Sequence, residues 1–440
     1  MTAADPGDTI LVCAGNYNES LSIDKSLTLK GAQAGTDARG RGVPAADESV
    51  ITGAPSPAPD GGVRLDANDI TLDGFVVEAT DDPGLGAGVA MSSANNDQRV
   101  VNNIIRNNSI GLYGNNAPGA QSVIRGNAFS NNNAPGGAAG SAIYADGGTH
   151  DLLIDDNSFA RQENAAILLT HTTGTNSGVQ ITDNDFVGGD PDPALNEVRV
   201  LLVYTEDTLI SGNTFTGAAN NAVQLLGDSS GIKVTDNEIT DSGFAAVRIR
   251  NCSVTDCGVE VGANTGVSVI GNVLEGNDSA INVGDGGYAG ELVAHGNRIV
   301  GNTTGIVFDD AGESADATGN WWGCNDGPGS AGCDTVIGAG ADSVDADPPL
   351  RLVLVSKARV RAGEQLNVAA KLVGTACLYP DGSKVTFGTS KGKLTATTVA
   401  IRDCAARTRL KTARSAKGYV RLTATLDNQL VTRKVSIIPG

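Results

Sequence analysis

Three His and two Met are spread over 440 residues, so the chain lacks the density of soft or imidazole ligands that copper handling requires. Aromatic residues make up only 4%. No run of 18 or more apolar residues occurs, so no transmembrane helix and no membrane insertion are expected. The opening Met1-Thr2-Ala3-Ala4-Asp5-Pro6-Gly7 has neither the basic nor the apolar region of an export leader. It reads as the start of a mature segment with an added Met. What the chain does have is Gly, 58 residues of it, with abundant Asn and Asp. That composition disfavours long helices and suits short strands joined by tight turns.

Seven Cys fall into local groups: Cys252 with Cys257, Cys324 with Cys333, and Cys377 with Cys404, leaving Cys13 over. No His lies close enough to complete a zinc site with these pairs, so three disulfides are the preferred reading over thiols or metal. Disulfides place the chain in an oxidising compartment, secreted or at the cell surface. Charge divides the chain. From residue 347 onward 17 Lys and Arg face 5 Asp and Glu, a net +12, whereas residues 1–346 carry 14 against 45, a net −31. The acidic part repels nucleic acid, which is not expected as a partner.

One motif recurs: Gly or Asp, then Asn, then any residue, then a large apolar one. Its Asn residues are Asn127, Asn157, Asn184, Asn213, Asn237, Asn272, Asn297 and Asn320, with Asn102-Asn103-Ile104-Ile105 as a looser copy, and successive copies lie 23 to 35 residues apart. Each unit holds a short alternating run such as Val123-Ile124-Arg125, the Asn turn, an apolar residue, a polar turn and a second run such as Ala142-Ile143-Tyr144. Runs this short with period two are strands, not helices. Each unit is therefore one coil, and stacked coils pair in parallel. Asn suits a sharp corner because it tolerates left-handed backbone. A buried Asn stacked on the Asn of the next coil would satisfy its amide in a ladder. Ligand binding by the Asn column is the alternative.

The repeat resembles that of the right-handed parallel β-helix proteins, which include pectate lyases, polygalacturonases, alginate epimerases and periplasmic nitrous-oxide reductase maturation proteins. The opening Gly7-Asp8-Thr9-Ile10-Leu11-Val12, Gly15-Asn16-Tyr17-Asn18-Glu19 and Ile23 to Gly31 resembles the first coil of secreted members, and Trp321-Trp322-Gly323 their closing coil. The resemblance implies an all-β protein, a right-handed parallel β-helix of about ten coils over residues 1–346. It specifies a fold that hosts many activities.

Pro348-Pro349 ends the repeat where the charge changes sign. Beyond it, alternating runs at Gln365 to Leu372, Lys384 to Phe387 and Tyr419 to Leu426, separated by Asp381-Gly382 and Lys391-Gly392, predict a small β-sandwich over 347–440. The segments Val385-Thr386-Phe387, Gly392-Lys393-Leu394 and Thr423-Ala424-Thr425 resemble bacterial immunoglobulin-like modules of surface adhesins. That resemblance implies a spacer or contact domain. Arg407, Arg409 and Lys411 alternate on one run and so share a face, a stripe suited to a cell-envelope polyanion.

Catalytic signatures of the related enzymes are weak. Ala294-His295-Gly296 and Arg248-Ile249-Arg250 are faint echoes of the polygalacturonase motifs, in reversed order. No His beside paired Asp appears, as an alginate epimerase would need. Aligning the units puts Tyr144, Leu168, Gln224, Arg248 and Asn282 in one outward column, with Arg250, Asp146 and Thr170 and then Asp309 nearby. Such a column could bind sugar, although any outward β-helix face is polar. No catalytic residue and no cofactor are assigned. Ca²⁺ is left open, because pectate lyases hold it with several carboxylates. The reading is a secreted or cell-surface protein that binds carbohydrate or serves as a spacer or adhesion module. A polysaccharide lyase or glycoside hydrolase is the alternative, and a ligand-free structural rod a third.

Overall fold

The computed structural model describes residues 3–41, 47–53, 62–80, 86–135, 139–171, 175–187, 197–252, 261–374 and 377–440. The protein is all-β, and among the described residues the only helical turns are two three-residue 3-10 segments, Ala38–Gly40 and Ala341–Ser343. The chain forms two compact units, one of residues 1–268 with 281–290, the other of residues 269–280 with 291–440.

Each full coil contains three strands rather than the two alternating runs visible in the sequence. In one coil they are Val123–Arg125, Ala128–Ser130 and Ser141–Ala145. The middle strand is only three residues long and carries the apolar residue of the motif, too short for alternation to be read. Three parallel sheets result, of thirteen, eleven and twelve strands among the described residues, in keeping with about ten coils. Register keeps like residues together: Ile124 pairs with Ile154, Ile154 with Ile181, Ile181 with Ile210 and Ile210 with Val234. All five are fully buried, while their neighbours along the strand, Val123 apart, are half-buried or exposed. In the second sheet Phe129, Phe159, Phe186 and Phe215 stack with ring centroids 5.1, 4.8 and 4.4 Å apart.

The corner after the first strand has a division of labour that the motif hides. The left-handed residue is the one before the Asn: Gly126, Asp156, Asp183, Gly212 and Asp236 have φ of 66°, 56°, 52°, 71° and 55°. This corrects the assignment of left-handed backbone to the Asn itself, and it explains why Gly or Asp occupies the preceding position. The Asn side chain joins coils. The amide nitrogens of Asn127, backbone and side chain, both donate to Asn157 Oδ1, at 3.0 and 2.9 Å. The same pattern runs from Asn157 to Asn184, from Asn184 to Asn213 and from Asn213 to Asn237. Each Nδ2 also donates to a carbonyl of an earlier coil, as Asn213 does to Ile181 O at 2.8 Å. In the second unit Asn272, Asn297 and Asn320 form the same chain.

A second ladder, absent from the sequence reading, lies five residues on. Asn108 Nδ2 donates to Asn132 Oδ1 at 3.0 Å, and Asn132 N–H to Gln162 Oε1 at 3.3 Å. In the second unit the series is Asn277, Asn302 and Asp334. Burial holds the Asp334 carboxyl above the ordinary carboxylate range, although donors from Gly301 and Asn302 pull the other way.

The second unit also holds two largely antiparallel sheets, one of Arg351–Ser356, Gln365–Val373, Ala405–Lys411 and Lys393–Leu394, the other containing Lys384–Thr389, Gly418–Leu426 and Gln429–Ile438. They share one apolar core that includes Leu352, Val368, Phe387, Leu410 and Val435, and that core takes in Trp321 and Val300 of the last coils. Arg298 joins the same region, pairing with Glu275 and Asp427 at 2.5 Å each, while Trp321 Nε1 donates to Asp427 at 2.7 Å. Disulfides join Cys324 to Cys333 and Cys377 to Cys404. The pairing of Cys252 with Cys257 lies outside the described residues, and Cys13 is an exposed free thiol.

Candidate functional site

The third sheet sets the outward column. Along it Tyr113 pairs with Tyr144, Tyr144 with Leu168, Leu168 with Leu201, Leu201 with Gln224 and Gln224 with Arg248. Upstream the register continues through Ala90 to Arg64. Four strand steps of ~4.8 Å put Tyr144 and Arg248 roughly 19 Å apart. The column therefore splits into two polar clusters separated by the half-buried Leu168 and Leu201.

The first cluster is built on Tyr113, Tyr144 and Asp146. The two rings stack with centroids 6.0 Å apart, and both hydroxyls donate to Asp146, that of Tyr144 at 3.1 Å and that of Tyr113 to the other oxygen. Asn115 Oδ1 accepts the backbone N–H of Asp146 and of Gly147, at 3.2 and 2.8 Å, which fixes the turn carrying the carboxylate. Burial, then the charge of Asp146, raises the Tyr144 phenol far above its usual range, so it is a hydrogen-bond donor and not a base. Beside this cluster a concavity of about 190 Å³ is lined by Arg64, Asp66, Ser92, Ser93, Tyr113 and Asn115, among others. Arg64 reaches Asp66 at 3.1 Å.

The second cluster is built on Arg248. Its guanidinium lies 5.3 Å from the Phe244 ring centre, donates to Asn282 Oδ1 and meets Asp285 at 2.6 Å. Arg250 approaches the same Asp285 at 3.9 Å. Gln224 accepts from Asn221 Nδ2 at 2.7 Å. Arg248 is thus held on several sides, an arrangement that orients a donor and does not free a base. Asp309, in the second unit, accepts the Ala339 N–H at 3.1 Å. His150 faces Ser177 at 3.1 Å. Among the described residues no group of three or more His, Cys, Asp or Glu is placed to hold a metal ion.

Alignment on the Asn motif missed Tyr113, Arg64, Asp66 and Asn115. Tyr113 follows Leu112 as Tyr144 follows Ile143, but its coil carries only the looser copy of the motif, and the coil of Arg64 carries none. In chemical terms the first cluster offers two aromatic faces, a carboxylate, a guanidinium, hydroxyls and an amide around an open depression. Such a set can pack against the apolar faces of sugar rings and hydrogen-bond their hydroxyls.

Similar structures include Dettilon tailspike protein (gp208), at 12% identity over 97% of this chain and 84% of that one, with a TM-score of 0.43. The Azotobacter vinelandii mannuronan C-5 epimerase AlgE6 A-module is 13% identical over 79% of this chain and 92% of that one, also with a TM-score of 0.43. The tailspike protein of E. coli bacteriophage HK620, in complex with pentasaccharide, is 10% identical over 98% and 85%, with a TM-score of 0.35. No curated protein matches the chain. The family described as right handed beta helix region matches residues 59–239 and 200–322, more than half of the sequence. With its parallel three-sheet coils, the chain belongs to the right handed beta helix family.

Proposed function

We propose that this protein works outside the cytoplasm as a polysaccharide-binding β-helix, with the ligand lying along the outward face of the third sheet at Arg64, Asp66, Tyr113, Tyr144 and Asp146. The observation that carries the reading is the stacked pair Tyr113 and Tyr144, both hydroxyls fixed on Asp146 at the edge of an open polar depression. The Leu168 and Leu201 strip and the Arg248 cluster extend the same face. Two disulfides support an oxidising location. Among the described residues no helix is long and apolar enough to cross a membrane. The C-terminal sheets, as an immunoglobulin-like module beginning at residue 347, belong to the same proposal as a spacer or contact domain.

Binding is favoured over base-initiated elimination because the phenol of Tyr144 stays protonated and Arg248 is held by Asn282 and Asp285. The test screens the intact chain against neutral and acidic oligosaccharides, with reducing-end and unsaturated-product assays on every ligand found. The expected result is retention without product. Tyr144→Ala should weaken it roughly tenfold or more, as loss of a contact aromatic does. Product release would establish the enzymatic alternative, and unchanged binding in Tyr144→Ala would remove this site.

A further inference from the structure

A second surface, on the four-stranded C-terminal sheet, has a different chemistry. The strand Ala405–Lys411 alternates, with Arg407, Arg409 and Lys411 exposed and Thr408 and Leu410 buried. Its cross-strand partners on one side are Ala369, Asn367 and Gln365, none of them acidic. On the other side Lys411 pairs with Lys393. Like charges placed directly opposite disfavour the sheet. Among the described residues no carboxylate lies within ion-pair distance of Arg407, Arg409, Lys411 or Lys393. Two acids of this region are used elsewhere: Asp427 by Arg298 and Trp321, and Asp381 by the Asp403 N–H.

The same face is concave. A groove of about 720 Å³ runs over it, lined by Val355, Lys357, Asn367, Ala369, Arg407 and Arg409 among others. That volume lies within the roughly 300–1,000 Å³ of ligand clefts. Val355 is 41% exposed and contributes an apolar patch to the floor. The floor is thus aliphatic and amide, and the rim cationic, with the basic residues roughly 7 Å apart along the strand, two residues at ~3.4 Å each.

We propose that this groove binds an acidic polysaccharide, a linear chain bearing a carboxylate on every sugar or on alternate sugars. Such a ligand supplies the missing anions as a row, can match the basic row in several registers, and lays the C–H faces of its rings on Val355 and Ala369. Single-stranded nucleic acid fits less well. It needs aromatic platforms for its bases, and among the described residues no ring lines the groove, Tyr419 lying on the other sheet beneath Lys434. The surface is separate from the third-sheet site, and its occupancy does not depend on that reading.

The test measures binding of the full chain to polygalacturonate, with neutral dextran and duplex DNA as comparisons, at low salt and at ~0.15 M, where the Debye length is ~8 Å. Salt-sensitive binding to polygalacturonate is expected, weakened at least ~10-fold by Arg407→Gln with Arg409→Gln, since each basic contact with an anionic surface is worth roughly fivefold. Ala369→Glu, which puts a carboxylate in the groove, should weaken it similarly. Arg359→Gln with Arg361→Gln removes the same charge from the other sheet and should leave affinity within about twofold. Melting curves establish that each variant is folded. Four results would overturn the proposal: no binding to polygalacturonate, equal binding of dextran or DNA, equal loss in the Arg359 and Arg361 control, or salt-sensitive self-association that the groove variants abolish, which would assign the face to a second copy. The third-sheet variant Tyr144→Ala should leave polygalacturonate binding intact, so the two sites fail separately.

Discussion

The coils of the first unit and the antiparallel sheets of the second solve the same problem, satisfying buried backbone, by opposite means. In the coils the strands are short and corners are frequent, so side chains do much of the work: Asn157, Asn184, Asn213 and Asn237 each accept two N–H bonds from one neighbouring coil and return one to a carbonyl. In the C-terminal sheets the strands run to nine or ten residues and pair directly, as Gly418–Leu426 does with Gln429–Ile438. The core differs accordingly. Phe stacks on Phe and Ile on Ile in the coils, whereas the sheets gather one mixed core together with Trp321 and Val300. The first arrangement makes stability a sum over neighbours. The second makes it collective.

Variants can break that contrast. Phe186→Ala removes the centre of the ring stack and should cost about 3–5 kcal/mol, with hydrogen exchange accelerated chiefly in the adjoining coils. Exchange rising uniformly through the molecule would show that the coils are not independent neighbours. Arg298→Met leaves Asp427 and Glu275 without their cation, and should cost about 3 kcal/mol. Here the loss should spread through the C-terminal sheets as well as the last coils, and protection confined to one of them would contradict the shared core.

Asn213→Ala deletes one rung of the first ladder and leaves the N–H and Nδ2 of Asn184 without their acceptor, for an expected cost of about 1–3 kcal/mol by chemical denaturation. An unchanged denaturation midpoint would mean that the ladder contributes nothing beyond shape. The smallest effect concerns Asp334. Its folded carboxyl takes up a proton more readily than the unfolded one, so its contribution is complete below the ordinary Asp value of ~3.9 and is lost as pH rises through the raised folded value. Subtracting the pH profile of Asp334→Asn from that of the unaltered protein should leave a stability difference that declines just above the ordinary carboxylate range. A difference that rises there would reverse the sign of the burial effect.

The fold was legible because one corner repeats with nearly fixed chemistry, Gly or Asp before Asn. The φ requirement restricts the first of these positions and the ladder the second. The middle strand escaped notice because three residues such as Ala128–Ser130 cannot display a period. The second ladder was harder still, since Asn132, Gln162, Asn302 and Asp334 perform one role with three residue types. For the site, register from Tyr144 to Arg248 could be counted from the repeat, but Leu201 and Tyr113 sit in coils whose motif is weak or whose loops are long. The engagement of Arg248 by Phe244 and Asp285 depends on turns outside the repeat, where spacing carries no information.

The most direct test of the proposed function is hydrogen exchange of the intact protein with and without the best oligosaccharide from the binding screen. Protection should concentrate in Ile110–Gly114 and Ser141–Ala145, the strands carrying Tyr113 and Tyr144, and should vanish in Asp146→Ala. Protection located on another face, or undiminished in that variant, would contradict the assignment of the ligand to the third sheet.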